Sequence, residues 1–201
     1  MITTIIFDFG DIFINLNKEK SRNAFAELGL TEMNDEILLQ NDLFEKGGIS
    51  ENEFLKSIQK HTSNASISKI KAAWNAIIGD FPLERLEFLQ LLSQKYKLFL
   101  LTNTDQTHIQ FFEEKVGISF YSAFYQCFEK VYFSYEMRMR KPDPAIYSIL
   151  ISNHNLSTKN TLFVDDKFEN TEAAKELGLQ VWNLQLGIEE VTQLFDKDLE
   201  F

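Results

Sequence analysis

The stretch "IIFDFGDIF", residues 5–13, sets the architecture of this chain of 201 residues. Three apolar side chains, Ile5, Ile6 and Phe7, run directly into an acid, Asp8, and no polar residue alternates with them. An uninterrupted apolar run of this kind predicts a strand that is covered on both faces, as in a parallel sheet. The carboxylate that ends such a strand is therefore a first candidate for chemistry.

Three further runs have the same character. They are "KLFLLTN" at residues 97–103, "TLFVDD" at 161–166 and, more weakly, "LQVWNL" at 179–184. Stretches with helical spacing lie between them, and one helix is predicted over residues 170–179 with Asn170 as its N-cap. Strands that alternate with helices predict βαβ units, so the fold class is α/β with a parallel sheet.

Residues 16–79 differ from the rest of the chain because they contain no run that resembles a strand. About four stretches show helical spacing, and Ser50 with Glu53 forms a capping box that indicates a helix start. We therefore expect a three-layer core formed by residues 1–15 and 80–201, with a small all-helical insert over residues 16–79.

Composition narrows the range of functions. The formal net charge of −10 argues against nucleic acid or an anionic membrane as a partner, since both are bound through basic patches. No apolar run approaches the roughly 18–20 residues that span a bilayer, and the first residues do not resemble a signal peptide. The single cysteine, Cys127, excludes a disulfide framework, so we expect a cytoplasmic protein. We also expect a monomer, since no heptad pattern indicates an interface.

Polar side chains stand at the ends of three predicted strands: Asp8, Thr102 with Asn103, and Asp165 with Asp166. Ligands of an open parallel sheet bind beyond the carboxyl ends of its strands, so these groups should meet in one crevice. Three carboxylates in one place suit Mg²⁺, a hard cation that prefers oxygen ligands.

A cation follows in "RKPDP", residues 140–144, where Lys141 precedes a proline. Its ammonium group would hold Asp8 ionised and neutralise the oxygens of a phosphoryl group, to which Thr102 offers a hydroxyl donor. A carboxylate held in this way can attack phosphorus as a nucleophile. The residues therefore predict phosphoryl transfer through an aspartyl-phosphate.

Four segments in chain order resemble the motifs of the haloacid dehalogenase-like hydrolase superfamily. They are "FDFGDIF" (7–13), "LLTN" (100–103), "RKPDP" (140–144) and "FVDDKFEN" (163–170). The resemblance implies a Rossmann-like core, a helical cap that closes over the substrate, and a Mg²⁺-dependent phosphatase. Its substrate would be a small phosphorylated metabolite, such as a sugar phosphate, as in the family branch whose first motif is of the D-x-G-x-V type.

The resemblance also implies a role for each matching residue. Asp8 would be the nucleophile, assisted by Thr102 and Lys141. The metal ligands it implies are Asp8, the Gly10 carbonyl, Asp166 and, directly or through water, Asp165. The residues it implies for the phosphate group are Thr102, Asn103 and Lys141.

The first motif departs from the commonest pattern at Gly10, where most phosphatases of the superfamily carry a second Asp as general acid and base. Such a group contributes roughly 100- to 10,000-fold to the rate. Asp11 is an alternative proton carrier, although a residue one step further along an extended chain points elsewhere.

Two other functions stay open. One is a 2-haloacid dehalogenase-type hydrolase, in which Asp8 would attack carbon without a metal. The other is a catalytically weak protein that binds phosphate or a partner protein. Metal dependence separates a phosphatase from a dehalogenase, and turnover separates both from a binding protein.

The remaining candidates have no pattern that indicates chemistry. His61, His108 and His154 are scattered and lack the spacing of metal ligands, so we expect them at the surface. Trp74 is expected to take part in packing.

Overall fold

Five parallel strands form the sheet at the centre of the computed structural model, which describes residues 1–199. The strands are β1 (Thr4–Phe7), β2 (Lys97–Thr102), β3 (Lys130–Phe133), β4 (Thr161–Asp165) and β5 (Gln180–Asn183). Their order in the sheet is β3-β2-β1-β4-β5. Phe7, the last residue of β1, lies opposite Leu100 on one side and Val164 on the other. The ends of β2, β1 and β4 are therefore neighbours, as the predicted crevice requires.

Four helices follow β1 along the chain, and we call their segment, residues 16–79, the helical cap. The helices are α1 (Lys18–Glu27), α2 (Asp35–Glu45), α3 (Glu51–Gln59) and α4 (Ile67–Asn75). Each begins with an Asn or Ser whose side chain accepts a hydrogen bond from a backbone N–H of the first turn. The capping box of Ser50 and Glu53 is present as predicted.

The helical cap buries a hydrophobic cluster of its own. Phe25, Ile37, Phe54 and Ile70 are each at most 1% exposed within it, and the Phe44 ring stacks on Phe54 at 4.5 Å between centroids. Burial of large aromatic side chains contributes most of the stability of so small a unit. The exact limits of this unit, at residues 15/16 and 79/80, stay a prediction.

The other helices cover the two faces of the sheet. They are α5 (Leu83–Ser93), α6 (Gln106–Val116), α7 (Ile118–Tyr125), α8 (Ser134–Met137), α9 (Pro144–Asn153) and α10 (Phe168–Glu176). Successive residues of β1 belong to opposite clusters: Phe7 packs with Leu100 and Val164, whereas Ile6 packs with Phe99 and residues of α9 and α10. The prediction of a three-layer α/β core with a helical cap is confirmed.

Two details of the prediction are wrong. The edge strand β3 was not expected, because its sequence "KVYF" begins with an exposed lysine and its other side chains are only partly buried. Helix α10 begins at Phe168 with Lys167 as its N-cap, so Asn170 lies inside the first turn and its side chain is available for another contact. Among residues 1–199, no helix is both long and apolar enough to cross a membrane.

The chain passes between core and helical cap through two segments, residues 14–17 and 77–80, that run side by side and that we call the linker pair. The N–H of Asn15 donates to the Asp80 carbonyl, and the N–H of Gly79 donates to the Asn15 carbonyl, both at 2.9 Å. A Cβ at Gly79 would lie 2.4 Å from the Asn15 oxygen, so this close approach requires glycine.

The side chain of Arg85, on α5, holds the first segment of the linker pair against the core. It is 7% exposed, and Nη1 donates to the Phe13 carbonyl at 3.2 Å and to Asn15 Oδ1 at 2.9 Å. Nε and Nη2 both donate to Glu190 Oε2, at 3.0 and 2.8 Å. One guanidinium group thus joins α5, the linker pair and the C-terminal region.

We expect Arg85→Met to lower the free energy of unfolding by about 2 kcal/mol, because the buried Phe13 carbonyl would lose its donor. Urea denaturation monitored by circular dichroism measures this change. Arg22→Met, at an exposed position of α1, is the matched control and should stay within about 0.5 kcal/mol of wild type. Equal effects of the two substitutions would contradict the role of Arg85.

Candidate active site

A buried lysine joins two carboxylates at the ends of β1 and β4. Asp8 follows β1, and its N–H donates to the Val164 carbonyl at 2.9 Å. Lys141 Nζ lies 2.8 Å from Asp8 Oδ1 and 2.6 Å from Asp165 Oδ2, and the lysine side chain is 1% exposed. Burial disfavours its charge, but the two carboxylates more than compensate and raise the pKa of Lys141. The lysine therefore stays an ammonium ion.

Asp165 is the fixed partner in this arrangement. Its side chain is fully buried, and Asn170 Nδ2 donates to both of its oxygens, at 3.1 and 2.9 Å. The N–H of Lys167 donates to Oδ1 at 2.8 Å. Both oxygens already accept hydrogen bonds from the protein, so the geometry favours Asp165 as an anchor for Lys141. Of the two predicted ways for Asp165 to reach a metal, the geometry favours the one through a bridging water.

Three carboxylates converge beside the lysine. One oxygen from each of Asp8, Asp165 and Asp166 lies within 4.8 Å of the others. Burial, followed by the negative charges of Asp8 and Asp165, raises the pKa of Asp166 to about 6. An all-oxygen donor set with excess negative charge fits a hard divalent cation such as Mg²⁺. Gly10, the predicted carbonyl ligand, lines the same cleft.

The end of β2 contributes two neighbouring residues with different contacts. Thr102 is 2% exposed and lines the cleft, and the contact of its hydroxyl with phosphate stays a prediction. Asn103 also lines the cleft, but its amide is engaged with the backbone of Lys141: Nδ2 donates to the carbonyl at 2.8 Å and Oδ1 accepts from the N–H at 2.9 Å. Asn103 therefore positions Lys141, and its predicted contact with phosphate stays a prediction.

Asp11 is occupied by the loop that follows β1. Its backbone has a left-handed φ of 58°, Oδ1 accepts from the Leu16 N–H at 2.8 Å, and Oδ2 lies 2.9 Å from Lys18 Nζ. It is absent from the cleft lining, so these contacts favour a structural role. A Cβ at Gly10 would lie 2.9 Å from Leu16 Cδ1, a contact that a small shift of the leucine side chain would relieve.

The cleft between the strand ends and the helical cap has a volume of about 240 Å³. Its core side includes Asp8, Thr102 and Lys141, and its cap side includes Asn41, Glu45 and Trp74. The cleft is therefore closed on one side by residues that lie far from the four motifs in the sequence.

Polar contacts across the cleft join cap and core. Arg140, next to the catalytic lysine candidate, places Nη2 at 2.9 Å from Glu45 Oε2 and Nη1 at 3.3 Å from Asp42 Oδ1, both on α2. On the opposite side, Thr107 Oγ1 donates to Glu51 Oε2 at 2.8 Å. These contacts hold the helical cap over the carboxylate cluster.

A second charged pair lies at the same interface, around Trp74. The indole Nε1 donates to Asp105 Oδ2 at 3.1 Å, and His108 Nδ1 lies 3.0 Å from the same oxygen. The imidazole stacks on the indole at 4.9 Å between centroids, and its Nε2 faces the Trp74 carbonyl at 3.1 Å. Because both ring nitrogens face acceptors, the geometry favours the imidazolium form of His108.

The environment stabilises both charges of this pair. Burial disfavours the imidazolium, but the negative charge of Asp105 and the hydrogen bonds raise the pKa of His108. Burial also disfavours the carboxylate, but the charge of His108, with hydrogen bonds from His108 and Trp74, holds the pKa of Asp105 below its usual range. The pair is therefore an ion pair beneath the indole.

The expectation that the three histidines lie at the surface is wrong. His108 lines the cleft with 13% of its side chain exposed, and His61 and His154 are partly buried. Trp74 packs as expected and also lines the cleft. One signal in the sequence was available: Asp105 precedes α6 as its N-cap, so a histidine three residues later lies within reach of the carboxylate.

The ion pair of His108 and Asp105 predicts a pH window for its contribution to stability. Because the pKa of His108 is raised on folding, its contribution to the free energy of unfolding is complete below the unfolded-state pKa of 6.5 and is lost as pH rises through the folded-state pKa. Because the pKa of Asp105 is lowered on folding, its contribution is complete above the unfolded-state pKa of 3.8 and is lost as pH falls through the folded-state pKa. We expect the difference in unfolding free energy between wild type and His108→Gln to be largest between about pH 4 and 6.5.

Urea denaturation at a series of pH values measures this difference. The matched control is His154→Gln, which removes a partly buried histidine whose Nε2 contacts the Tyr132 hydroxyl at 2.8 Å instead of a carboxylate. A constant difference for His108→Gln across the whole range, or the same profile in the control, would contradict the ion pair.

Comparison with known proteins agrees with this geometry. Residues 5–184 match the family model of the haloacid dehalogenase-like hydrolases. The D-ribitol-5-phosphate phosphatase of Bacteroides thetaiotaomicron is 28% identical to this chain, over 93% of this chain and 94% of its own length.

Solved structures give the same result. A haloacid dehalogenase family enzyme from Bacteroides thetaiotaomicron, an alanine variant in complex with magnesium and inorganic phosphate, has a TM-score of 0.86 and 32% identity, covering 98% of this chain and 100% of that one. A hydrolase of this type from Porphyromonas gingivalis has a TM-score of 0.81 and 27% identity, covering 98% and 100%. Since the family model spans all four motifs, this chain belongs to the haloacid dehalogenase-like hydrolases.

Proposed function

We propose that this hydrolase is a Mg²⁺-dependent phosphatase of a small phosphorylated metabolite, in the class of sugar and sugar-alcohol phosphates. The observation that carries the proposal is the contact of Lys141 Nζ with Asp8 Oδ1 at 2.8 Å, at the edge of a cluster of three carboxylates. A buried ammonium group and a cation site beside one carboxylate suit attack on an anionic phosphate ester.

The relatives support the same class of reaction. One is named for its action on D-ribitol 5-phosphate, and a second has been solved with magnesium and inorganic phosphate. The cleft of about 240 Å³ suits a small metabolite rather than a macromolecule. We further propose a cytoplasmic location, which rests on the single cysteine, Cys127, and a monomer, which rests on the lack of a heptad pattern in the sequence.

The proposed reaction begins with attack of Asp8 on phosphorus, in line with the departing alcohol. The phosphorus–alcohol bond breaks as the new bond to the carboxylate oxygen forms, and solvent supplies the proton that the alkoxide takes up. Water then attacks phosphorus of the aspartyl-phosphate, the bond between phosphorus and the Asp8 oxygen breaks, and the proton lost by the water passes to solvent, which releases inorganic phosphate and restores the Asp8 carboxylate. Lys141 neutralises charge near Asp8 in both steps, and Thr102 donates a hydrogen bond to the phosphoryl oxygens.

The metal would lie among the carboxylates. Asp8, Asp166 and the Gly10 carbonyl would hold it, with Asp165 one water further away. When bound, Mg²⁺ supplies positive charge to the phosphoryl oxygens. Asp165 keeps Lys141 in place, and Asn103 fixes the backbone that presents it.

The first test is phosphate release from a panel of sugar and sugar-alcohol phosphates, with Mg²⁺ and with EDTA. Wild-type protein should release phosphate with Mg²⁺ and not with EDTA. The rate of phosphate release by Asp8→Asn should be lower by at least about 1,000-fold, because the substitution removes the nucleophile. Asp35→Asn, at an exposed position of α2, is the matched control and should keep wild-type activity.

Two other results would replace this proposal. Halide release from 2-haloacids without metal, in the absence of phosphate release, would indicate a dehalogenase that uses the same Asp8. No turnover of either substrate class by a folded protein would indicate a protein that binds phosphate or a partner.

A second test concerns the proton carrier. Asp11→Asn should keep kcat within about threefold of wild type, because asparagine retains the acceptor for the Leu16 N–H and tolerates the left-handed φ. Steady-state kinetics on the best substrate measures this. A loss of about 100-fold or more would instead identify Asp11 as the general acid and base.

A further inference from the structure

Two polar side chains of helix α2 line the cleft from the cap side. Asn41 and Glu45 are one helical turn apart, so their side chains are neighbours on one face of α2. Asn41 Nδ2 lies 3.4 Å from Glu45 Oε1 and donates to it. Because a carboxylate oxygen accepts hydrogen bonds, this contact favours the amide orientation in which Asn41 Oδ1 points away from Glu45.

The oxygen of this amide has no donor. Asn41 Oδ1 is buried, and none of residues 1–199 donates a hydrogen bond to it. Most buried side-chain acceptors are paired in folded proteins, so this unpaired acceptor, on a residue of the cleft lining, is a candidate partner for a ligand donor once the amide turns toward the cleft. Its partner in the occupied cleft is a hydroxyl or amine hydrogen.

The charges around Asn41 disfavour an anionic ligand group. Glu45 Oε2 lies 2.9 Å from Arg140 Nη2, and Arg140 Nη1 lies 3.3 Å from Asp42 Oδ1, so both acids of α2 engage this cation. The carboxylate of Glu45 retains lone pairs that can accept further hydrogen bonds. The face of α2 that carries Asn41 and Glu45 therefore offers hydrogen-bond acceptors. An anionic group placed against this face would find the charge of Arg140 already balanced by two carboxylates.

The wall that continues from Asn41 and Glu45 is apolar. Trp74, Ile77 and Ile109 line the same cleft, and they suit the carbon–hydrogen faces of a ligand rather than its hydroxyl groups. A ligand with hydroxyl groups along one side of a carbon chain matches both surfaces.

We propose that Asn41, assisted by Glu45, is the specificity-determining site for the alcohol half of the substrate and accepts a hydroxyl hydrogen of a neutral polyhydroxylated leaving group. This inference rests on the proposed function, since a phosphate at Asp8 places the alcohol in the cleft beneath α2. Asn41 does not touch the reacting atoms, and its effect is on the choice between alcohols.

The test compares two esters that share a phosphate group and differ in the alcohol. Mg²⁺-loaded wild type and Asn41→Leu are assayed on ribitol 5-phosphate, whose alcohol is polyhydroxylated, and on p-nitrophenyl phosphate, whose leaving group has no hydroxyl donor. The value of kcat/KM should fall about 10- to 100-fold on the first ester and change less than about twofold on the second. Asn23→Leu, at an exposed position of α1, is the matched control and should change neither value.

Retained activity on p-nitrophenyl phosphate also shows that Asn41→Leu folds. Equal losses on both esters, or no loss on either, would overturn the assignment of Asn41 and leave the phosphatase proposal intact. No hydrolysis of any phosphate ester by wild type would instead overturn the proposed function.

Binding then tests Asn41 without turnover. Calorimetric titration of Asp8→Asn, in the presence of Mg²⁺, compares ribitol 5-phosphate with inorganic phosphate. Adding Asn41→Leu should raise the dissociation constant of ribitol 5-phosphate by about 10-fold or more and should not raise that of inorganic phosphate. Equal affinities with and without Asn41→Leu would overturn the inference.

Discussion

The site depends on one ammonium group, that of Lys141, which lies between the carboxylates of Asp8 and Asp165. Two carboxylates at the ends of adjacent parallel strands would repel each other in a buried position, and a buried charge without a partner is strongly destabilising. Lys141 resolves this conflict, and Asn103 holds its backbone from the end of a third strand. The ends of three strands and the loop before α9 are thereby fixed by one set of charges, so the same contacts stabilise the fold and arrange the candidate site.

The sequence predicts this part of the molecule well for a physical reason. Strands covered on both faces are apolar along their whole length, so the residue at which polarity returns marks the end of the strand, as at Asp8, Thr102 and Asp165. Strand β3 escaped prediction because an edge strand is covered incompletely and lacks that signature. Asn170 was assigned to a helix N-cap because an asparagine near a helix start usually has that role, whereas here it binds Asp165.

The cap side of the cleft could not be predicted in the same way. Helical spacing shows which face of a helix is apolar, but it does not show what lies opposite that face. Trp74 meets Asp105 and His108 across about thirty residues of chain, and Glu45 meets Arg140 across about ninety-five, so only the folded structure brings them together. The first motif shows the same limit, because the contact of Asp11 with the Leu16 N–H is visible only in the folded loop.

The linker pair has a consequence for how the cleft exchanges its contents. Core and helical cap are connected by two segments that are hydrogen-bonded to each other through Asn15, Gly79 and Asp80, and the core side chains of Arg85 and Lys115 bind this pair. A rotation of the cap about this ribbon would keep those bonds and would separate contacts across the opening, among them those of Arg140, Thr107 and Trp74. These contacts can be altered individually by substitution, so the rate of product escape would change without any change in the chemistry at the bottom of the cleft.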